Sequence, residues 1–174
     1  MVYGIVQNYN GGIKVKSSPE TGTTFEIFLP VTDKVVEIEA DSVISSTQSG
    51  NEHILFVDDE ESIVKLGVRA LKNCGYRVNG INNSTEALEL FKSNPDEFDL
   101  VITDMAMPNL IGSELSKRIL EIRPDIPIII CSGYSEKLER EKAQDLNVSA
   151  FIDKPLTVDD LVRITRDVLD KRKI

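Results

Sequence analysis

Basic residues are in deficit: 20 Lys and Arg stand against 29 Asp and Glu, for a net charge of −9. A chain that grips nucleic acid needs a basic surface to neutralise phosphates, so nucleic acid is excluded as a direct partner. The basic run at the end, DKRKI, reads as a solvated helix terminus. Cysteine is scarce too. Cys74 and Cys131 lie far apart and fit neither a metal-ligand spacing nor a disulfide framework, so both read as buried thiols in a reducing compartment. No apolar run reaches the roughly 18 residues of a membrane span, and the start lacks the basic-then-apolar pattern of a signal peptide. The chain is therefore read as cytoplasmic, with no membrane contact of its own. Histidine occurs once, as His53 at the start of an apolar run, and is read as a strand-edge residue.

What remains is enough for a real core. Apolar residues make up 41% of the 174 positions, and charged ones 28%. Residues 31–50, VTDKVVEIEADSVISSTQSG, are polar, rich in Ser and Thr, and without sustained periodicity. They read as a linker ending at Gly50 and Asn51. It separates a short front piece, 1–30, from a body, 51–174.

In the body, short apolar runs alternate with helical patterns. HILFVDD, YRVNGI, FDLVITD, PIIICSG and AFIDKP read as strands. The first helix, ESIVKLGVRALKNCG, places Ile63, Leu66, Gly67, Ala70, Leu71 and Cys74 on its core face, with Gly75 as its stop. Val64 and Val68 fall just off that stripe. NNSTEALELFKSN begins with an Asn or Ser cap and turns Ala87, Leu88 and Phe91 inward; IGSELSKRILEIR is a third helix. EKLEREKAQDLN is a lightly anchored fourth, held by Leu138, Ala143 and Leu146, which suits either a mobile switch element or a solvated face. The last helix, LTVDDLVRITRDVLDKR, starts from a Thr157 cap with Asp160 three residues on. Five strands alternating with five helices imply a parallel α/β sheet covered on both faces.

In open α/β sheets, ligands bind outside the carboxyl ends of the strands. Asp58 and Asp59 stand at the end of the first strand, Asp104 at the third, Ser132 at the fourth and Lys154 at the fifth. Three carboxylates packed together repel and gain protons unless a cation lies among them. Oxygen ligands without His or Cys suit a hard ion such as Mg²⁺. A metal, a further carboxylate, an ammonium and a hydroxyl are what phosphoryl transfer requires.

The segments VDDEES, VITDMAMPNLIG, IIICSGY and AFIDKP resemble the four signature segments of response-regulator receiver domains, and the likeness spans about residues 52–173. It implies a flavodoxin-like, doubly wound sheet with strand order 2-1-3-4-5. It also implies that Asp104 is the phosphoacceptor, that Asp58, Asp59, Asp104 and the Ala106 backbone carbonyl hold Mg²⁺, and that Lys154 and Ser132 bind the phosphoryl group. Phe151 takes the switch-aromatic position, Lys154–Pro155 the place of a cis peptide, and Pro108 and Gly112 the loop behind the acceptor. Tyr134 would border the phosphoryl group and screen it from water. The resemblance assigns the first helix to docking the donor's helical bundle, with Val64 and Val68 as candidates against a plain core-edge role. The donor is a histidine-kinase phosphohistidine, in cis or in trans, and a histidine phosphotransfer protein is a candidate recipient. His53 lacks the helical setting and nucleotide site of a donor. Two alternatives stand beside this: a haloacid-dehalogenase-like Mg²⁺ phosphatase, which wants a second Asp where Ala106 stands, and a binding-only pseudo-receiver. Whether the chain counts as an enzyme is open, since a receiver catalyses only its own phosphorylation and dephosphorylation.

The front piece has its own likeness. MVYGIVQNYN puts Val2, Ile5, Val6 and Tyr9 on one helical face; IKVKS and TTFEIFLP alternate around the turn SPETG. This helix–strand–strand resembles the carboxyl-terminal end of the ATP-binding domain of sensor histidine kinases, without that family's Asn-bearing helix, Asp-x-Gly segment or Gly-rich lid. A receiver wired behind a hybrid kinase, which could be membrane-anchored upstream, is the expected origin, and no ATP site is expected here. No output domain is expected after residue 174, so the signal is expected to leave through protein contacts. About thirty residues cannot bury a self-sufficient core, so the fragment's apolar faces are expected to find cover on the receiver or on a second copy, as a homodimer.

Overall fold

The computed structural model describes residues 6–7, 10–20, 22–31, 49–133 and 147–171. The chain divides into two compact units, Met1–Ser42 and Val43–Ile174.

In the first unit, β1 (Gly12–Ser18) and β2 (Gly22–Phe28) form an antiparallel hairpin. The turn closes through Gly22, at φ +79°, a left-handed backbone that glycine adopts without a Cβ penalty. Register pairs Ile13 with Ile27 and Val15 with Phe25, so these apolar side chains share one face. Val15, Phe25 and Ile27 are each more than half exposed. Most of the helix expected before the hairpin lies outside the described residues, as do residues 32–48 of the expected linker.

The second unit is a parallel five-stranded sheet: β3 (His53–Val57), β4 (Arg77–Ile81), β5 (Leu100–Asp104), β6 (Ile128–Ser132) and β7 (Ala150–Asp153). Its spatial order is β4-β3-β5-β6-β7, which is the expected 2-1-3-4-5 when the strands are counted from β3. Between them run α1 (Glu61–Asn73), α2 (Ser84–Ser93), α3 (Gly112–Ile122) and α4 (Val158–Lys171). The lightly anchored helix expected over 136–147 lies almost wholly outside the described residues.

The sheet is buried on both sides because its central strands are apolar along most of their length, with polar residues at or near their ends. Along β3, Ile54 and Phe56 join Leu71 of α1 and Leu161, Val162 and Leu169 of α4 in one core. Leu55 and Val57 point the other way, to Leu88 and Phe91 of α2 and Leu115 and Ile119 of α3. Each fully buried side chain of this size contributes about 1.5–3 kcal/mol relative to exposure, so the two layers dominate the stability. Cys74 and Cys131 are free and buried, as expected.

Helix ends follow the local sequence. Asn83 caps α2, its Oδ1 accepting the Thr85 and Glu86 amides at 2.9 and 3.2 Å. Thr157 Oγ1 accepts the Asp160 amide at the start of α4. The face of α1 departs from the expected stripe: Leu66 is 43% exposed, and Val64 is buried instead. The cause lies on the edge strand. Gly80 of β4 has no side chain, and Val64 and Val68 fill that space, each methyl within 2.7 Å of where a Cβ would stand. At the opposite end of the sheet from the acidic strand ends, Arg166 of α4 holds Glu52 at 3.0 Å, Asp170 at 2.8 Å and the Tyr76 hydroxyl at 3.2 Å. That tie joins α4 to the entry of β3.

Candidate functional site

The two chain directions around the sheet part between β3 and β5, since α1 and α4 cover one face and α2 and α3 the other. A crevice therefore opens at the carboxyl ends of these strands. Asp58 directly follows β3, and Asp104 ends β5. Asp104 pairs in register with Cys131, one residue before Ser132, and Ser132 pairs with Asp153, one residue before Lys154. The Lys154 amide donates to the Ser132 carbonyl at 2.9 Å, which extends that ladder into the site. Strand register alone thus brings the four side chains together.

Asp58 and Asp104 are buried, at 2% exposure each, and Asp59 is exposed. One carboxylate oxygen from each of the three lies within 4.8 Å of the others. Lys154 Nζ stands 2.7 Å from Asp104 Oδ1 and 3.8 Å from Asp58 Oδ2. Burial pushes the Asp58 carboxyl up to about 6, helped by the Asp104 and Asp59 charges; the Glu60 amide, donating to its Oδ1 at 2.9 Å, and Lys154 oppose the shift. For Lys154 burial works downward, but Asp104 and Asp58 outweigh it and the pKa rises, so the ammonium stays charged. Burial, then the Asp104 charge, lifts the Cys131 thiol to about 12, which keeps it a neutral neighbour.

Two observations test whether a hard cation fits. The donor set is all oxygen, with two carboxylates buried and a single ammonium between them. Burial first, then the neighbouring Asp104 and Asp59 charges, hold the Asp58 carboxyl well above its ordinary range, and a cation bound among the three would favour its charged form. These residues suit a divalent ion of the Mg²⁺ type. The Ser132 hydroxyl is buried with no hydrogen-bond partner among the described residues, so it has a donor to offer an arriving oxygen.

The acceptor strand runs into a tight loop. The Met105 amide donates to Cys131, the Gly112 amide to the Met105 carbonyl, both at 2.8 Å, and Asn109 is left-handed at φ +68°. A Cβ on Gly112 would lie 2.1 Å from the Asp104 carbonyl oxygen, so only glycine lets α3 start this close to the acceptor. Ala106 is exposed in this loop between buried Met105 and Met107. Phe151 is half-buried in β7, packed against the core shared with α2 and α3. The Lys154–Pro155 peptide is cis. Tyr134 lies outside the described residues. Ser84 was missed in the sequence, where it served only as an alternative cap; its buried hydroxyl donates to the Pro108 carbonyl of the acceptor loop at 3.1 Å.

A family profile described as the response regulator receiver domain matches residues 54–166. The chain is 33% identical over 180 residues to the sensor kinase CckA of Brucella abortus (strain 2308), covering 99% of this chain and 19% of that protein. It is 33% identical over 157 residues to the sensor protein EvgS of Escherichia coli (strain K12), covering 89% of this chain and 13% of that one. The chain therefore spans a fifth or less of the length of these relatives. Among solved structures, a receiver domain protein from Clostridium thermocellum matches with a TM-score of 0.67 and 31% identity, over 70% of this chain and 97% of its own. These likenesses favour the receiver over the phosphatase and the pseudo-receiver. With its flavodoxin-like sheet and acidic rim, the chain belongs to the response regulator receiver domain family and to phosphorelay signal transduction.

Proposed function

We propose that Asp104 is the phosphoacceptor of this chain. The observation that carries the reading is the Lys154 ammonium 2.7 Å from Asp104, beside two further carboxylates and a buried hydroxyl with no hydrogen-bond partner among the described residues. An Asp104 carboxylate oxygen attacks the phosphorus of a phosphohistidine in line. The new O–P bond forms as the N–P bond breaks, and its electron pair returns to the imidazole. Asp58, Asp59, Asp104 and the Ala106 carbonyl would hold Mg²⁺, which when bound supplies positive charge to the phosphoryl oxygens. Lys154 turns its ammonium from the Asp104 carboxylate to a phosphoryl oxygen. Ser132 donates its free hydroxyl to another, and that pull is the event that Phe151 on the adjacent strand reads out.

The donor is a histidine-kinase domain, in cis or in trans, and a histidine phosphotransfer protein is the recipient class. The sensor-kinase relatives, one of them matched over 99% of this chain and so over the front hairpin, support an origin behind a kinase ATP-binding domain, with residues 1–30 as its last piece, 31–50 as linker and 51–174 as receiver. A cytoplasmic location suits this chemistry; no helix among the described residues is long and apolar enough to cross a membrane. Incubation with Mg²⁺ and a small phosphodonor, followed by intact mass, tests the assignment. One phosphoryl adduct that disappears in Asp104→Asn supports it, and an adduct that survives refutes it.

A further inference from the structure

Ser84 is the first residue of α2, on the far side of the crevice from Lys154, and carries no charge. Yet it is 2% exposed, and its hydroxyl reaches across 24 positions to the Pro108 carbonyl. That carbonyl also accepts the Leu110 amide at 2.8 Å across left-handed Asn109, so Pro108 opens the tight turn at which the acceptor loop doubles back. The loop's other hydrogen bonds given above are backbone bonds at its base. Met105, Met107 and Leu110 anchor it by burial. Apolar anchoring resists lifting the loop into solvent, but it is non-directional and leaves the peptide planes between anchors free to tilt. A hydrogen bond to a carbonyl fixes such a plane.

We infer that Ser84 is a positioning residue for the metal site: its hydroxyl sets the acceptor loop so that the Ala106 carbonyl, two residues before Pro108, serves as a ligand. The inference rests on the receiver reading above, which assigns that carbonyl to Mg²⁺. Asn83 makes the role specific to the hydroxyl. It caps α2 through its own Oδ1 and leaves Ser84 Oγ free to serve the loop.

The test is Mg²⁺ titration by calorimetry on the full, unphosphorylated chain, with the melting temperature recorded without metal. Ser84→Ala should weaken Mg²⁺ binding by roughly tenfold, as loss of an outer partner of a ligand does, while the metal-free melting temperature stays close to that of the parent. Asn83→Ala should do the reverse, lowering the melting temperature but leaving Mg²⁺ affinity within about twofold. Ser84→Ala binding Mg²⁺ as tightly as the parent overturns the inference and leaves the receiver reading intact. Equal losses in the two variants overturn it as well, since the effect would then be helix stability. A parent chain that binds no Mg²⁺ removes both.

Discussion

Asp58 shows how a single side chain ties the fold to its cation. Its carboxyl is raised from 3.8 to about 6, so between these values the folded state holds a proton that the unfolded state has released. Folding stability from this group is present below about pH 4 and lost as pH rises through about 6, on the order of 3 kcal/mol in all. Asp58→Asn keeps an acceptor for the Glu60 amide and removes the charge. Metal-free Asp58→Asn should therefore be more stable than the parent at pH 7, by about 1–3 kcal/mol, with the gap closing toward pH 4. Urea denaturation across that range measures it. Saturating Mg²⁺ should stabilise the parent and not the variant. A gap that is flat with pH would mean that Asp58 is not the strained group. Lys154 is the complementary case, because removing it leaves two buried carboxylates facing each other. Lys154→Ala should accept phosphoryl groups far more slowly.

Among the elements, the acceptor loop and α3 set the tolerance of the site. Gly112→Ala would place a methyl carbon against the Asp104 carbonyl and force the acceptor's own backbone to move. A cost of about 1–3 kcal/mol is expected by denaturation, with slower phosphorylation, because overpacking here displaces the reacting residue. The strands were legible in the sequence because each fully buried strand is a short apolar run stopped abruptly by a polar residue, and those stops are the site. Asp58, Asp104 and Ser132 could be read from that one rule, whereas Lys154 lies one residue past Asp153, the polar stop of the partly buried β7. The helix faces were less legible. Leu66 and Val64 exchanged roles because Gly80, on an edge strand, opened a space that periodicity within α1 cannot register. The link between Ser84 and Pro108 was hidden for a related reason: a hydrogen bond across 24 positions leaves no local pattern, and a serine in the first turn of a helix has a sufficient local explanation.

For the whole molecule, the two units differ in how well each closes its own surface. The receiver unit buries both faces of its sheet, whereas the hairpin leaves Val15, Phe25 and Ile27 more than half exposed. An amphipathic hairpin of this size is marginal alone. The full chain should therefore associate more than residues 51–174 alone, as read by light scattering at matched concentration. Equal masses would show that the hairpin needs no second copy. The central claim is a narrower one, that Asp104 receives a phosphoryl group in a site completed by Mg²⁺. The direct measurement is intact mass after incubation with a small phosphodonor, with and without Mg²⁺, on the parent and Asp104→Asn. The account predicts an adduct of about 80 Da, the mass of one phosphoryl group, only in the parent and only with Mg²⁺. An adduct on Asp104→Asn, or none on the parent, would contradict it.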